Sequence, residues 1–201
     1  MRRIDRKTHK VEEGNRYVSA TEKSQIIISL SLRKSDFHIK RLKHKEYGNT
    51  KKWNTFSITR DGKIFEHFDP KYYSDYCGIK QVDKKSISIV LENMGALTKN
   101  NRNEYINWIN EICLNNNVIE KRWLGQKYWE VFSEKQIKSM VYLCKKLCKQ
   151  FNIPTKIIDF PQYHKDTVKY KGIVLKSNYF EDCNSINPLF DLRYFNELLN
   201  K

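Results

Sequence analysis

Any chemistry done by this chain has to come from a small set of side chains. Its five histidines are His9, His38, His44, His67 and His164. None form the HxxxH or HExxH pairs that set two imidazoles on one helix face around a metal. His67 alternates with Phe65 and Phe68 on a strand-like run, which predicts a surface or lightly buried ring. The five cysteines are Cys77, Cys113, Cys144, Cys148 and Cys183, odd in number and irregular in spacing. Without a CxxC pair they indicate neither a zinc knuckle nor a disulfide framework, and reduced thiols of a cytoplasm fit best. Cys144 and Cys148, four residues apart, read as small core residues on one helical face. Cys183 as a nucleophile would need a paired histidine and a lowered pKa, and the sequence signals neither. No metal site is expected from these residues alone.

The elements that would position such groups belong to one globular domain. The chain has 201 residues, 39% hydrophobic and 13% aromatic, enough for a proper core. No run reaches the roughly 18 apolar residues of a membrane span. The N-terminus is charged with no apolar stretch behind it, so no secretory signal is expected. The net charge is +15. Such an excess attracts polyanions, whether nucleic acid, teichoic acids, anionic membrane surfaces or an acidic protein. The lysines also read as ordinary solvated residues, and no nucleic-acid-binding motif is present.

Residues 1–24 are polar and basic and predict an arm or a loosely attached first element, leaving 25–201 as a single domain. Ile26, Ile28, Leu30 and Leu32 alternate along a strand of a sheet interior. A basic stretch, residues 33–52, predicts a loop or short helix. Trp53 to Thr59 and Ile64 to Phe68 flank Asp61-Gly62, a β-hairpin signal. Ser86 to Glu92 predicts a strand. Ile106, Ile109, Ile112 and Cys113 fall at helical spacing within 103–115. Ser133 to Gln136 reads as a capping box opening the clearest helix, with Ile137, Met140, Val141, Cys144, Leu147, Cys148 and Phe151 as its apolar stripe. A strand at 172–176 and a helix at 188–199 close the chain. The expected fold is α/β, a mixed central β-sheet flanked by helices.

Several segments resemble one family, in the right order. Ile26 to Ser31 (IIISLS) is similar to a strand ending I-x-x-H-x-T, with Ser29 at the histidine place. Asn54 to Ile64 (NTFSITRDGKI) resembles Y-H-F-x-I-x-x-D-G-x-I. Asp75 to Gly78 (DYCG) resembles W-H-A-G, with Tyr76 for histidine. Ser86 to Asn93 (SISIVLEN) resembles S-I-G-I-E-L-x-N, with Val90 at the acidic position. Phe132 to Gln136 and Phe151 to Pro154 resemble Y-T-x-x-Q and Y-x-I-P at the ends of a long helix. Gly172 to Ser177 (GIVLKS) and Cys183 to Phe190 (CNSINPLF) resemble GIV-x-H-S and K-x-D-P-G-P-x-F. Together these resemble the zinc-dependent N-acetylmuramoyl-L-alanine amidases, which share their fold with peptidoglycan-recognition proteins.

That resemblance implies a zinc ion on two histidines and an Asp or Cys, with water in an open position. The corresponding positions here are Ser29, Lys176 and Ser185, and the tyrosine, acid and lysine positions fall on Asn54, Val90 and Cys183. A serine hydroxyl is a poor zinc ligand and a lysine ammonium repels the cation. A site rebuilt from Cys77, Cys183 and His164 is the alternative considered. The expectation is therefore an inactive amidase scaffold with no cofactor, its zinc lost. It would serve as a binding or structural module, a virion or tail component of a bacteriophage made in the host cytoplasm. The alternatives are a peptidoglycan-binding protein, with Trp53, Tyr72, Tyr73, Tyr76 and Asn93 as candidate contacts of a retained cleft, or a residual amidase.

Overall fold

The computed structural model describes residues 3–43, 51–182 and 187–201. Cys183, Ser185, His44 and the centre of the basic stretch lie outside these. Two sheets and four main helices make up the described chain. The elements are β1 (Ile4–Asp5), β2 (Gln25–Leu30), α1 (Ser35–Lys43), β3 (Phe56–Ile58), β4 (Ile64–Glu66), α2 (Lys80–Lys85), β5 (Ser86–Leu91), β6 (Ala96–Lys99), β7 (Tyr105–Ile106), β8 (Ile112–Cys113), β9 (Val118–Trp123), β10 (Gln126–Glu130), α3 (Glu134–Phe151), β11 (Gly172–Leu175) and α4 (Leu192–Asn200). The first sheet has the order β1-β4-β3-β5-β2-β11 and is mixed: only β3 and β4 run antiparallel. The expected α/β fold is what the chain adopts.

The central strands are buried along their whole length, as their near-continuous apolar sequence requires of parallel strands covered on both faces. Register fixes what each face carries. Ile26, Ile28 and Leu30 align with Ile87, Ile89 and Leu91, and this set packs with Met140, Leu143, Cys144 and Leu147 of α3 in one core. The opposite face presents Gln25, Ile27 and Ser29 beside Ser86, Ser88 and Val90. It is the more polar of the two, although every one of these residues is buried.

The hairpin forms where Asp61-Gly62 marks it. Gly62 sits at φ +84°, and a Cβ there would lie 2.8 Å from the Lys135 carbonyl oxygen. Only glycine fits both the turn and the approach of α3. Ser133 caps α3, accepting from the Gln136 amide at 3.1 Å. The reciprocal half of the capping box is not made. Instead the Gln136 side chain donates to the carbonyls of Ile58 (3.2 Å) and Glu92 (2.9 Å), tying the helix to two strands.

Three sequence expectations are corrected. Residues 103–115 are not helical; they form β7 and β8 of the second sheet, β8-β7-β6-β10-β9. Asn103 and Asn110 take left-handed conformations, at φ 60° and 61°, which close tight turns and end any helical run. Residues 3–24 are not a free arm. β1 pairs with β4, Val11 is buried against Trp53 and Phe68, and Tyr17 stacks on Tyr73 at 4.5 Å. His67 is fully buried rather than at the surface, because this N-terminal segment lies over the strand that carries it.

Candidate functional site

The candidate site lies on the polar face of the first sheet, at the C-terminal ends of its parallel strands. Ser29, Val90 and Ser57 stand side by side in register on β2, β5 and β3. Leu175 pairs with Ile28, so Lys176, the next residue, is brought beside Ser29. The Tyr76 loop closes over this line. The Tyr76 hydroxyl hydrogen-bonds Ser29 Oγ. Lys176 Nζ lies 4.2 Å from the centre of the Tyr76 ring and donates to the Tyr76 carbonyl at 3.2 Å. An ammonium against the negative face of an aromatic ring is an attractive contact. Three of the positions singled out by the sequence, Ser29, Tyr76 and Lys176, thus meet in one cluster.

The loop is held from behind by Asp83 at α2. Its carboxylate accepts the Cys77 amide at 2.7 Å and the Gly78 amide at 2.9 Å. Burial pushes the Asp83 carboxyl up to about 6, against those two hydrogen bonds and the Lys176 charge, which pull it down.

Asn54 belongs to a buried polar chain on the same sheet. His38 Nε2 is 3.1 Å from Asn54 Oδ1. Asn54 Nδ2 donates to Ser57 Oγ at 2.8 Å and to the Phe56 carbonyl at 2.6 Å. Ser57 Oγ lies 2.8 Å from His67 Nε2, and His67 Nδ1 2.9 Å from the His9 carbonyl. A carbonyl can only accept, so His67 Nδ1 carries the proton and Nε2 accepts from Ser57. The chain is thereby ordered in one direction, with a neutral His67 whose pKa burial pushes down to about 4. These hydrogen bonds occupy Asn54 and His67 in holding the fold.

The remaining candidates are spread out. Trp53 is buried with Val11 and Phe68. Tyr73 is buried beneath Tyr17. Asn93 is fully buried, accepting from the Gly95 amide and from Asn187 Nδ2. None of these three offers solvent a stacking or bonding face, unlike the expectation, because the N-terminal segment and the second sheet cover them. Tyr72 is partly buried, with Arg16 and Lys71 against its ring. Cys77 is buried.

Sequence reasoning missed the rim formed by the second sheet. Trp108 is 64% exposed, yet its indole N–H donates to the Leu32 carbonyl at 3.1 Å and Arg33 stacks on it at 5.0 Å. Asn107 donates to the same carbonyl, also at 3.1 Å. The sheet is clamped below by Glu130, whose carboxylate meets Arg60 at 2.9 Å and the Met94 amide at 2.6 Å.

The first sheet thus carries α3 on one face and a loop-ringed polar locus on the other. The N-acetylmuramoyl-L-alanine amidase family model matches residues 24–172, and the chain belongs to that family. Among solved structures it is similar to the N-acetylmuramoyl-L-alanine amidase LysC from Clostridium intestinale URNW, with a TM-score of 0.58 at 11% identity, covering 100% of this chain and 99% of that one. It is similar to the catalytic domain of XlyA, with a TM-score of 0.57 at 16% identity, over 98% and 99% of the two chains. It is also similar to AmiD from E. coli, solved with the substrate anhydro-N-acetylmuramic acid-L-Ala-D-gamma-Glu-L-Lys. That match has a TM-score of 0.57 at 15% identity and covers 90% of this chain but 59% of AmiD. At such identities these likenesses concern the fold. A search by sequence among curated proteins finds no relative.

The family implies a zinc ion, and the residues at this locus do not fit one. Zinc takes imidazole, thiolate or carboxylate donors. Here a hydroxyl already bonded to Tyr76 and an ammonium lying on the same ring stand at two of the positions that the resemblance assigns to ligands. Among the described residues no group of three or more His, Cys, Asp or Glu side chains is placed to hold a metal.

Proposed function

We propose that this chain is a non-hydrolysing member of the amidase family that acts by binding the peptidoglycan its relatives cut. The observation that carries this reading is the Ser29–Tyr76–Lys176 cluster. Activating a water for attack on an amide requires a Lewis acid or a base beside it. The cluster supplies a positive charge, a phenol and a hydroxyl buried to 1% exposure. A hydroxyl so enclosed is also no nucleophile, since nothing can reach it. What the scaffold retains is its shape, with the exposed, anchored Trp108 as a rigid ring at the rim.

Purified protein incubated with isolated sacculi tests both halves. The expected result is co-pelleting that persists at about 0.5 M salt, where exposed charges are largely screened, with no release of stem peptide even after zinc is added. Stem-peptide release that a chelator abolishes would overturn the inactive reading. Absence of pelleting at any salt would overturn the wall-binding reading. It would leave the scaffold as a protein–protein building block, of which a bacteriophage virion or tail component is the form we favour.

A further inference from the structure

Of the four tryptophans only Trp108 is exposed, and the backbone is strained at the residue that holds it. Leu32 lies three residues past Ser29, so the two α-carbons are within about 10 Å of each other. Leu32 is left-handed, at φ 57°, which is unfavourable for a side chain of its size. Such a conformation persists only where the surroundings over-determine it. The Leu32 carbonyl accepts both Asn107 Nδ2 and the Trp108 indole N–H, each at 3.1 Å. Gly95 makes room for the Leu32 side chain, since a Cβ there would meet Leu32 Cδ2 at 2.8 Å. Arg33, itself buried, lies against the indole, its guanidinium carbon 5.0 Å from the ring centre. With one face covered and the N–H bonded, an indole that is still 64% exposed turns its other face to solvent.

We propose that Trp108 is a sugar platform, its open face stacking on a pyranose ring of the wall glycan beside the Ser29 cluster. A pyranose carries C–H groups on its faces and hydroxyls around its edge, so a flat apolar ring takes the face and leaves the hydroxyls to water. A ring already fixed by Leu32 and Arg33 has little freedom left to lose on binding. The choice of a sugar rests on the wall-directed reading above. In the substrate bound to AmiD, anhydro-N-acetylmuramic acid is joined directly to L-Ala. A ligand of that kind, lying with its sugar–peptide junction at the Ser29 cluster, carries its sugars within reach of a ring anchored so near. The polar groups beside the ring are engaged with one another: Asn107 with Leu32 and Glu111, and Glu111 with the Lys34 amide. Stacking is therefore the main contact on offer, and it involves no charge.

The test is tryptophan fluorescence of the full chain titrated with a peptide-free oligomer of N-acetylglucosamine. Trp53 and Trp129 are buried, so a sugar that covers Trp108 should give a saturable blue shift, absent from a Trp108→Phe variant. Titration calorimetry should show Trp108→Ala binding at least about tenfold more weakly than the parent, with Trp108→Phe, which keeps a ring, in between. Both variants change an exposed side chain and should still unfold cooperatively. Affinity should hold within about twofold between about 50 and 500 mM salt. No saturable shift, a Trp108→Ala variant that binds like the parent, or a shift given by a sugar-free stem peptide instead would each overturn the proposal. Sacculi that pellet equally with the parent and Trp108→Ala would sink the platform and leave wall binding intact. Oligomer binding at Trp108 without pelleting would support the platform and sink the wall-binding reading.

Discussion

His67 makes the stability of this protein depend on pH in a way that can be worked out. The ring is fully buried, it donates through Nδ1 to the His9 carbonyl, and Ser57 donates to Nε2. Burial penalises the charged imidazolium, and protonation would also set a second proton against the one Ser57 donates. The folded pKa is therefore pushed from 6.5 down to about 4. A base with a depressed folded pKa binds fewer protons folded than unfolded, so stability is lost as pH falls from about 6.5 toward about 4. Between about pH 7 and pH 5 the loss is about 2 kcal/mol. Asp83 works in the opposite direction. Its carboxyl is raised from 3.8 to about 6, so the folded state gains on the order of 1 kcal/mol over the same interval. The wild-type profile alone therefore conceals the effect, and the difference from a His67→Gln variant exposes it. Urea denaturation of both proteins at the two pH values should show the wild type losing about 2 kcal/mol more than the variant on acidification. A difference below about 0.5 kcal/mol would refute the neutral, enclosed His67.

Other perturbations read out other parts of the fold. Glu130→Ala leaves the Met94 amide without its acceptor and Arg60 without its carboxylate, and should cost about 3–4 kcal/mol, at the low end for a buried pair since Arg60 reaches solvent. Thermal melting would then fall by roughly 6–16 °C, and a fall of under about 3 °C would mean that the second sheet is held by other contacts. Gly62→Ala forces a Cβ onto the Lys135 carbonyl at a left-handed turn, and should cost at least about 2 kcal/mol in chemical denaturation. Val11→Ala should cost about 1–2 kcal/mol, where a free N-terminal arm would show no change in denaturation midpoint.

What could be read from the sequence follows from which signals are local. The strands at Ile26 and Ile87, the Asp61-Gly62 hairpin and the helix after Ser133 all declare themselves within a few residues, through period, turn chemistry or cap. The stretch 103–115 misleads because Ile106, Ile109 and Ile112 have a helical spacing by accident of two short strands joined at Asn110. Its left-handed backbone, like that of Asn103, carries no periodic mark. The N-terminal segment is anchored by single residues, Val11 and Tyr17, to partners about fifty residues away, and such contacts leave no pattern in the chain. The same cover explains the misplaced His67, Trp53 and Tyr73. At the site, Ser29, Tyr76 and Lys176 were legible only through the family resemblance, since nothing about a lone serine, tyrosine and lysine spread over 147 residues predicts that they touch. Trp108 and Arg33 were missed because a tryptophan that stays outside the core looks no different in sequence from one that enters it.

The order of strands in the first sheet has a consequence for how the protein is made. β2, with its Ile26-Ile27-Ile28 run, is flanked in the finished sheet by β5 and β11. β5 follows about sixty residues later, but β11 ends only at Leu175. During synthesis one side of β2 must therefore wait, its backbone groups unpaired, until Gly172–Leu175 has left the ribosome. Pairings of such long sequence separation form slowly, and an unpaired apolar strand invites association with other nascent chains. Ribosomes that stall or terminate before about residue 172 would release a chain lacking the strand that closes β2. Such products should collect in aggregates, while chains carried past that point remain in solution.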